Sequence, residues 1–314
     1  MGRFRFVTKR LVFMVPMLLG IVFLVFLLLK VTPGDPARQI VGLRASQQEL
    51  QQVREKLGLN DSVFTQYVRY LDGIVHGDLG YSYKSQQPVT TLIGERLKVS
   101  LWLLSFGVFF SLALSVPLGV ISALRHDRAI DHTIRGLGLV GMTMPSFWVG
   151  ILLILLVALP TGLFPVGGFG TTFLEHVNSI ILPALTLAIA MAPIQIRGLR
   201  ASIIAVLESD YVATGLSIGV PRGRLTRRFV LRNAAPAAIT LLALNVGFFL
   251  FGAVVIETTF ALPGIGQGLV LAARQRDIPT VQGYTLLFAV MVVLVFLIAD
   301  VIAAILDPRV EIES

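Results

Sequence analysis

Six apolar runs, at 11–29, 99–124, 134–159, 180–196, 237–256 and 285–306, decide what this sequence can fold into. Each is close to the ~20 residues a helix needs to cross the hydrocarbon core of a bilayer. Lipid offers backbone N–H and C=O groups no partners, so each run must satisfy its own and become a helix. The sequence therefore predicts an all-α integral membrane protein with six transmembrane helices. Composition agrees: of 314 residues, 55% are hydrophobic and 14% charged, with mean hydropathy +0.82, whereas a soluble domain carries about 25% charged residues. The first run follows Arg3, Arg5, Lys9 and Arg10, as in a signal peptide. It is longer than a signal's apolar stretch and has no small-residue cleavage site, so it reads as an uncleaved span.

Charge assigns the sides. With the N-terminus inside, Arg3, Arg5, Lys9, Arg10, Arg125, Arg128, Arg135, the seven arginines of 197–232 and Arg309 all fall in short inner segments. Segment 160–179, on the other side, has no basic residue, and the remaining cations lie mostly in one long loop that the positive-inside rule discounts. The orientation predicted is N-in and C-in. The net charge of +8 is then topological, and nucleic acid is not expected as a partner. No cysteine is present, which excludes disulfides, thiol nucleophiles and zinc–thiolate sites. Pro16, Pro117, Pro145 and Pro193 interrupt the runs and predict kinks, read as packing geometry ahead of gating hinges.

Three regions follow: 1–30, a tail and first span; 31–98, an extracytoplasmic helical insertion; and 99–314, a five-span core. In the insertion, Ser46 and Glu49 form a capping-box pattern before Leu50, Val53 and Leu57, with Gly58 as terminator. Phe64, Tyr67, Val68 and Leu71 make a second amphipathic face, capped by Asp61 or Ser62 and ended by Gly73. Both helices are expected to pack on span ends, with a seat for an outside partner as the alternative.

The inner segment 197–232 carries the most specific pattern. Tyr211, Val212, Gly215, Leu216 and Gly219 share a helical face, and the glycines would leave it shallow enough for another surface to approach. Leu225 and Phe229 form a second apolar pair among Arg224, Arg227, Arg228 and Arg232, which reads as an interfacial helix whose arginines reach lipid phosphates. Pro236 is expected in the first turn of the next span. The plain alternative is a pair of helices lying on the membrane. A docking helix would bury Tyr211 and Leu216, each worth roughly 1.5–3 kcal/mol when fully buried.

Catalytic motifs do not hold up. Gly215-x-Ser217-x-Gly219 matches a hydrolase nucleophile elbow, but that needs a strand–turn–helix setting and a histidine partner. The histidines are His76, His126, His132 and His176. Gly264, Gly266 and Gly268 lack the third glycine of a dinucleotide site at its required position, and there is no P-loop. The chain is expected not to hydrolyse ATP. His126, Asp127, Asp131 and His132 read as solvated loop residues, with no metal site expected.

The ordered set of short motifs resembles the permeases of binding-protein-dependent ABC importers, most closely the first permease subunit of dipeptide and oligopeptide transporters. It runs nearly end to end: Thr32-Pro33-Gly34-Asp35-Pro36; Gly77-Asp78-Leu79-Gly80-Tyr81-Ser82; Pro145-Ser146-Phe147-Trp148-Val149-Gly150; Asp210-Tyr211-Val212; Leu231-Arg232-Asn233-Ala234; Glu257-x-x-Phe260-x-x-Pro263-Gly264-Ile265-Gly266; Arg276-Asp277-Ile278-Pro279; and Leu306-Asp307-Pro308-Arg309. The resemblance implies a type I importer permease fold in a bacterial cytoplasmic membrane. It implies a second homologous permease, two cytoplasmic ATPase subunits that bind the ATP and Mg, and an extracytoplasmic solute-binding protein. It makes Asp210, Tyr211, Val212, Ala213, Thr214, Gly215, Leu216 and Gly219 the ATPase-coupling element. Pro263, Gly264, Gly266, Arg276 and Asp277 are expected where the binding protein docks. The cargo implied is a short peptide, on a scaffold also used for nickel, glutathione or haem. The sequence departs from the family at Gly215-Leu216-Ser217-Ile218-Gly219, where Ala-Arg-Ala-Lys-Gly is usual; the coupling surface is less charged. Asp300 is the one acid within a span; an intramembrane acid is functional by default, and pairing with an inner-loop arginine is the preferred reading. An ion-coupled transporter would need several such groups and inverted repeats, and an intramembrane enzyme would need a catalytic group within a span.

Overall fold

The computed structural model describes residues 2–31, 36–42, 46–82 and 84–306. In chain order the helices are α1 (Gly2–Val31), α2 (Pro36–Val41), α3 (Gln47–Lys56), α4 (Val63–Val75), α5 (Val89–Leu124), α6 (Ala129–Thr143), α7 (Ser146–Leu153), α8 (Leu159–Thr161), α9 (Phe173–Leu207), α10 (Asp210–Ser217), α11 (Arg222–Leu225), α12 (Leu231–Thr259), α13 (Ile265–Gln275) and α14 (Ile278–Leu306). A two-residue antiparallel pair, β1 (Tyr81–Ser82) and β2 (Gln87–Pro88), precedes α5. Turns of π-helix join α7 to α8 and α11 to α12.

Among the described residues, three helices are long and apolar enough to cross a bilayer: Val89–Leu124, Phe173–Leu207 and Ile278–Ile298. A fourth span is possible as a bent pair, Ala129–Thr143 and Ser146–Thr161, which meet at 102°. The sharp break replaces the simple kink expected at Pro145. Proline disfavours helical backbone in the residue before it, and Met144 is extended, with ψ 126°. Two of the six expected spans appear as shorter apolar helices, Val12–Leu27 and Asn245–Thr259. They lie inside α1 and α12, which are themselves 30 and 29 residues long.

The chain divides into two compact units. The first, Leu101–Leu262 with the chain ends, is built around α9. Small residues set its packing, as they do where membrane helices approach closely. A Cβ on Gly107 would lie 3.4 Å from Leu187, and one on Gly119 3.0 Å from Leu199, so α5 and α9 run side by side in a parallel register. Gly252 meets Leu187 and Gly198 meets Leu241, which makes α12 antiparallel to α9. Gly138 and Gly141 of α6 face Pro193. Polar contact is sparse: Ser111 and Ser115 donate to Gln195 Oε1 at 2.8 and 2.9 Å. Among the described residues, the buried Gln195 Nε2 and Asn245 Nδ2 have no hydrogen-bond partner.

The second unit, Lys9–Ser100 with Pro263–Met291, contains the insertion. The capping box forms as expected: Ser46 accepts from the Glu49 N–H, and Glu49 reaches back to the Ser46 N–H. These bonds hold the Glu49 carboxyl below its ordinary value. α4 is capped by Ser62, while Asp61 forms an ion pair with Arg69 at 2.6 Å. The helix continues past Gly73 to Val75 and stops before Gly77, whose φ is +77°. The face turned toward α1 is only in part the one expected. Tyr67 packs on Phe23 and Phe26, and Tyr70 stacks on Phe26, whereas Phe64 and Val68 are exposed. The Tyr67 hydroxyl explains the choice: it donates to the Leu19 carbonyl at 3.0 Å, which Phe64 cannot do.

Candidate functional site

The segment after α9 folds as a short helix seated on the first unit. Ser209 is the extended N-cap of α10, and Asp210 sits in the first turn, where a carboxylate suits the helix dipole. The helix ends in a Schellman turn: Val220 N–H donates to Gly215 O at 3.0 Å and Gly219 N–H to Leu216 O at 3.1 Å. That turn needs a left-handed residue, supplied by Gly219 at φ +80°.

The side chains of α10 divide by face. Val212, 1% exposed, enters a cluster with Ala123, Leu199, Ile203, Leu225, Val230 and Ala234. Gly215 lies under Leu225, whose Cδ1 would be 2.5 Å from an added Cβ. Tyr211, Leu216 and Ile218 remain outside, at 47%, 45% and 75% exposed, with Asp210, Ala213 and Thr214 beside them. This corrects the expectation that Val212 and Gly215 share an outward, shallow face with Tyr211 and Leu216. Periodicity grouped the residues, but the glycine's close approach is made by Leu225 of this same chain.

Asn233 has a role that sequence reading missed. Its Nδ2 donates to the Tyr211 hydroxyl at 3.0 Å, and the neighbouring Ala234 lies in the Val212 cluster. The two motifs that bracket the inner segment are therefore joined in space. Arg224, Arg227, Arg228 and Arg232 are all exposed, and Leu225 is buried while Phe229 is exposed. Helix begins at Arg222, behind Pro221, and runs through the π turn into α12. Pro236 is consequently inside α12, not in its first turn.

Asp131 is the largest departure from expectation. It is completely buried, not solvated, and accepts a two-pronged contact from Arg200 together with the Ser122 hydroxyl. A carboxylate can be buried when donors of this number replace its water. Asp300 lies on α14, and its side chain is outside the described residues. Among the described residues no cluster of three or more histidines and carboxylates could hold a metal.

In the second unit, Pro263 and Arg276 are exposed, but Gly264, Gly266 and Asp277 are buried. Asp277 accepts from Ser82 Oγ at 2.5 Å and Thr280 Oγ1 at 2.7 Å. The Gly264 carbonyl accepts from Arg96 Nη1 at 3.2 Å. The Gly264 carbonyl and the Asp277 carboxylate thus have partners within the unit, and Gly266 is buried beside them, which leaves Pro263 and Arg276 as the exposed members of the expected docking set. The Ser82–Asp277 bond joins Gly80-Tyr81-Ser82 to Asp277-Ile278-Pro279 in space.

Residues 115–312 match the family of binding-protein-dependent transport system inner membrane components, and residues 3–104 match that family's N-terminal region. The oligopeptide transport system permease protein AppB of Bacillus subtilis is 37% identical over 312 residues, covering 98% of this chain and 99% of its own. The dipeptide transport system permease protein DppB of Escherichia coli K12 is 35% identical, with 98% of each chain covered. The glutathione transport system permease protein GsiC of Escherichia coli O6:H1 is also 35% identical over 98% of each. A chain of the MetNI methionine ABC transporter, solved in inward-facing form, shares the fold at TM-score 0.59 and 14% identity, over 69% of this chain and 96% of its own. With its apolar helices, capped inner segment and full-length relatives, this multi-pass membrane protein belongs to the binding-protein-dependent transport system inner membrane components.

Proposed function

We propose that the chain is the permease subunit of an ATP-driven importer of short peptides in a bacterial cytoplasmic membrane. It crosses the membrane six times with both ends inside, the shorter apolar helices of α1 and α12 included. A second, homologous permease completes the pathway. Two cytoplasmic ATPase subunits bind ATP and Mg, which this chain does not bind. A solute-binding protein delivers the peptide from outside, and Pro263 and Arg276 are the exposed members of the five residues expected where it docks. The arginines 224, 227, 228 and 232 lie against lipid headgroups.

The observation that carries this reading is the division of α10. Tyr211, Leu216 and Ile218 offer an apolar outer surface, while Val212 roots the same helix among residues of α5, α9 and α12. A partner that grips the outer face moves what the inner face is fastened to. Full-length similarity to relatives named for oligopeptide and dipeptide transport supports the peptide cargo. The test is Leu216→Asp in cells that express the whole transporter. ATPase recovery with the purified permease and uptake of a labelled dipeptide should fall together, with membrane insertion retained. Normal uptake in that variant would remove the docking role.

A further inference from the structure

We propose that the buried pair Asp131–Arg200 is a positioning pair for transport, carrying displacement of α10 into α5 and α6. The inference rests on the reading of α10 as the ATPase seat. Four donors converge on the Asp131 carboxylate: Arg200 Nε at 2.8 Å and Nη2 at 2.6 Å, Ser122 Oγ at 2.5 Å and the Asp127 N–H at 3.0 Å. They come from α9, the end of α5 and the turn between α5 and α6. The side chains of the other ion pairs among the described residues are exposed.

Position gives the pair its task. Arg200 lies on the turn of α9 that also carries Leu199 and Ile203, and those two side chains pack in the cluster that holds Val212. A pull on α10 therefore arrives at the turn that grips Asp131. α5 is reached twice, through Ala123 in the cluster and Ser122 on the carboxylate. Apolar contacts can slide, but a two-pronged guanidinium–carboxylate contact fixes distance and angle together. The start of α6 must then follow α9. Further along, Gly138 and Gly141 of α6 ride on Pro193 just before the 102° bend into α7. Motion of one small helix is so passed to a bent pair of apolar helices, which a staple placed elsewhere would not do.

The experiment uses the complete complex in proteoliposomes with its binding protein and a labelled tripeptide. Arg200→Lys keeps the charge and loses the fork; Asp131→Asn keeps an acceptor for Ser122 and loses the charge. Both should retain the ATPase subunits. Peptide imported per ATP hydrolysed should fall by about tenfold, within the range of ordinary allosteric couplings. The apolar pair Asp131→Leu with Arg200→Leu should assemble and remain uncoupled. Equal loss of hydrolysis and import, leaving the ratio unchanged, would overturn the proposal, as would loss of the ATPase subunits. Should these variants not fold, Ser122→Ala removes one donor and should lower the ratio by roughly threefold; an unchanged ratio would count against the pair. A parental complex without ATPase subunits would instead defeat the reading of α10, and this inference with it.

Discussion

Val212→Ala and Leu216→Ala, four residues apart on one short helix, should act on different things. Val212 is 1% exposed. Replacing it by alanine removes two buried carbons at about 0.8 kcal/mol each, and with the cavity left behind the loss is roughly 2 kcal/mol. An eight-residue helix has no stability alone, so this loss falls on the seating of α10. At 1.4 kcal/mol per tenfold, the opening equilibrium should rise about 30-fold. Hydrogen exchange of peptides covering 209–220, in nanodiscs and read by mass spectrometry, measures it directly. Leu216→Ala should change that exchange by less than about twofold, since its side chain is half in water already. It should instead weaken the ATPase contact by about 1 kcal/mol, the share of leucine burial still available to a partner. Equal acceleration in the two variants, or none in Val212→Ala, would refute the assignment of inner and outer faces.

Gly219→Ala forces an alanine into the left-handed region and should destabilise the end of α10 by about 1–2 kcal/mol, seen as faster exchange at 216–220. Asn233→Ala removes the donor to Tyr211 and should cost roughly 1 kcal/mol, measured as a lower midpoint for local opening of 209–220. Asp277→Ala strands the Ser82 and Thr280 hydroxyls and should loosen 80–88 and the start of α14 by about 2 kcal/mol, again by exchange. The cap on α3 should depend on pH. Glu49 is depressed when folded by the Ser46 N–H and hydroxyl, so the contribution is complete above the ordinary value of 4.5 and fades as pH falls below it. Proteolysis within 46–57 should accelerate over that acidic window, and not in Glu49→Gln.

Local signals survived translation into structure; long-range ones did not. The Ser46–Glu49 box and the left-handed terminator at Gly58 were legible because each is settled within a few residues. The existence of α10 was legible too, but not which side of it meets the chain, since a periodic pattern is silent about direction. Asp131 beside two histidines and an aspartate reads as solvent-facing. Its partner Arg200 lies 69 residues away, so only the fold could bring them together. The burial of Asp277 was hidden for the same reason, its partner Ser82 being 195 residues distant. The bend at Pro145 was signalled by residue type, while its size depends on the extended Met144 before it.

The most direct test uses the absence of cysteine from the chain. Single substitutions Tyr211→Cys, Leu216→Cys, Ile218→Cys and Val212→Cys would each carry a short cross-linker in membranes that contain the whole transporter. The account predicts adducts with the ATPase subunit from positions 211, 216 and 218, and none from 212 while uptake remains intact. Active transporter that yields no adduct from any of the three exposed positions, or an adduct from 212 alone, would contradict it.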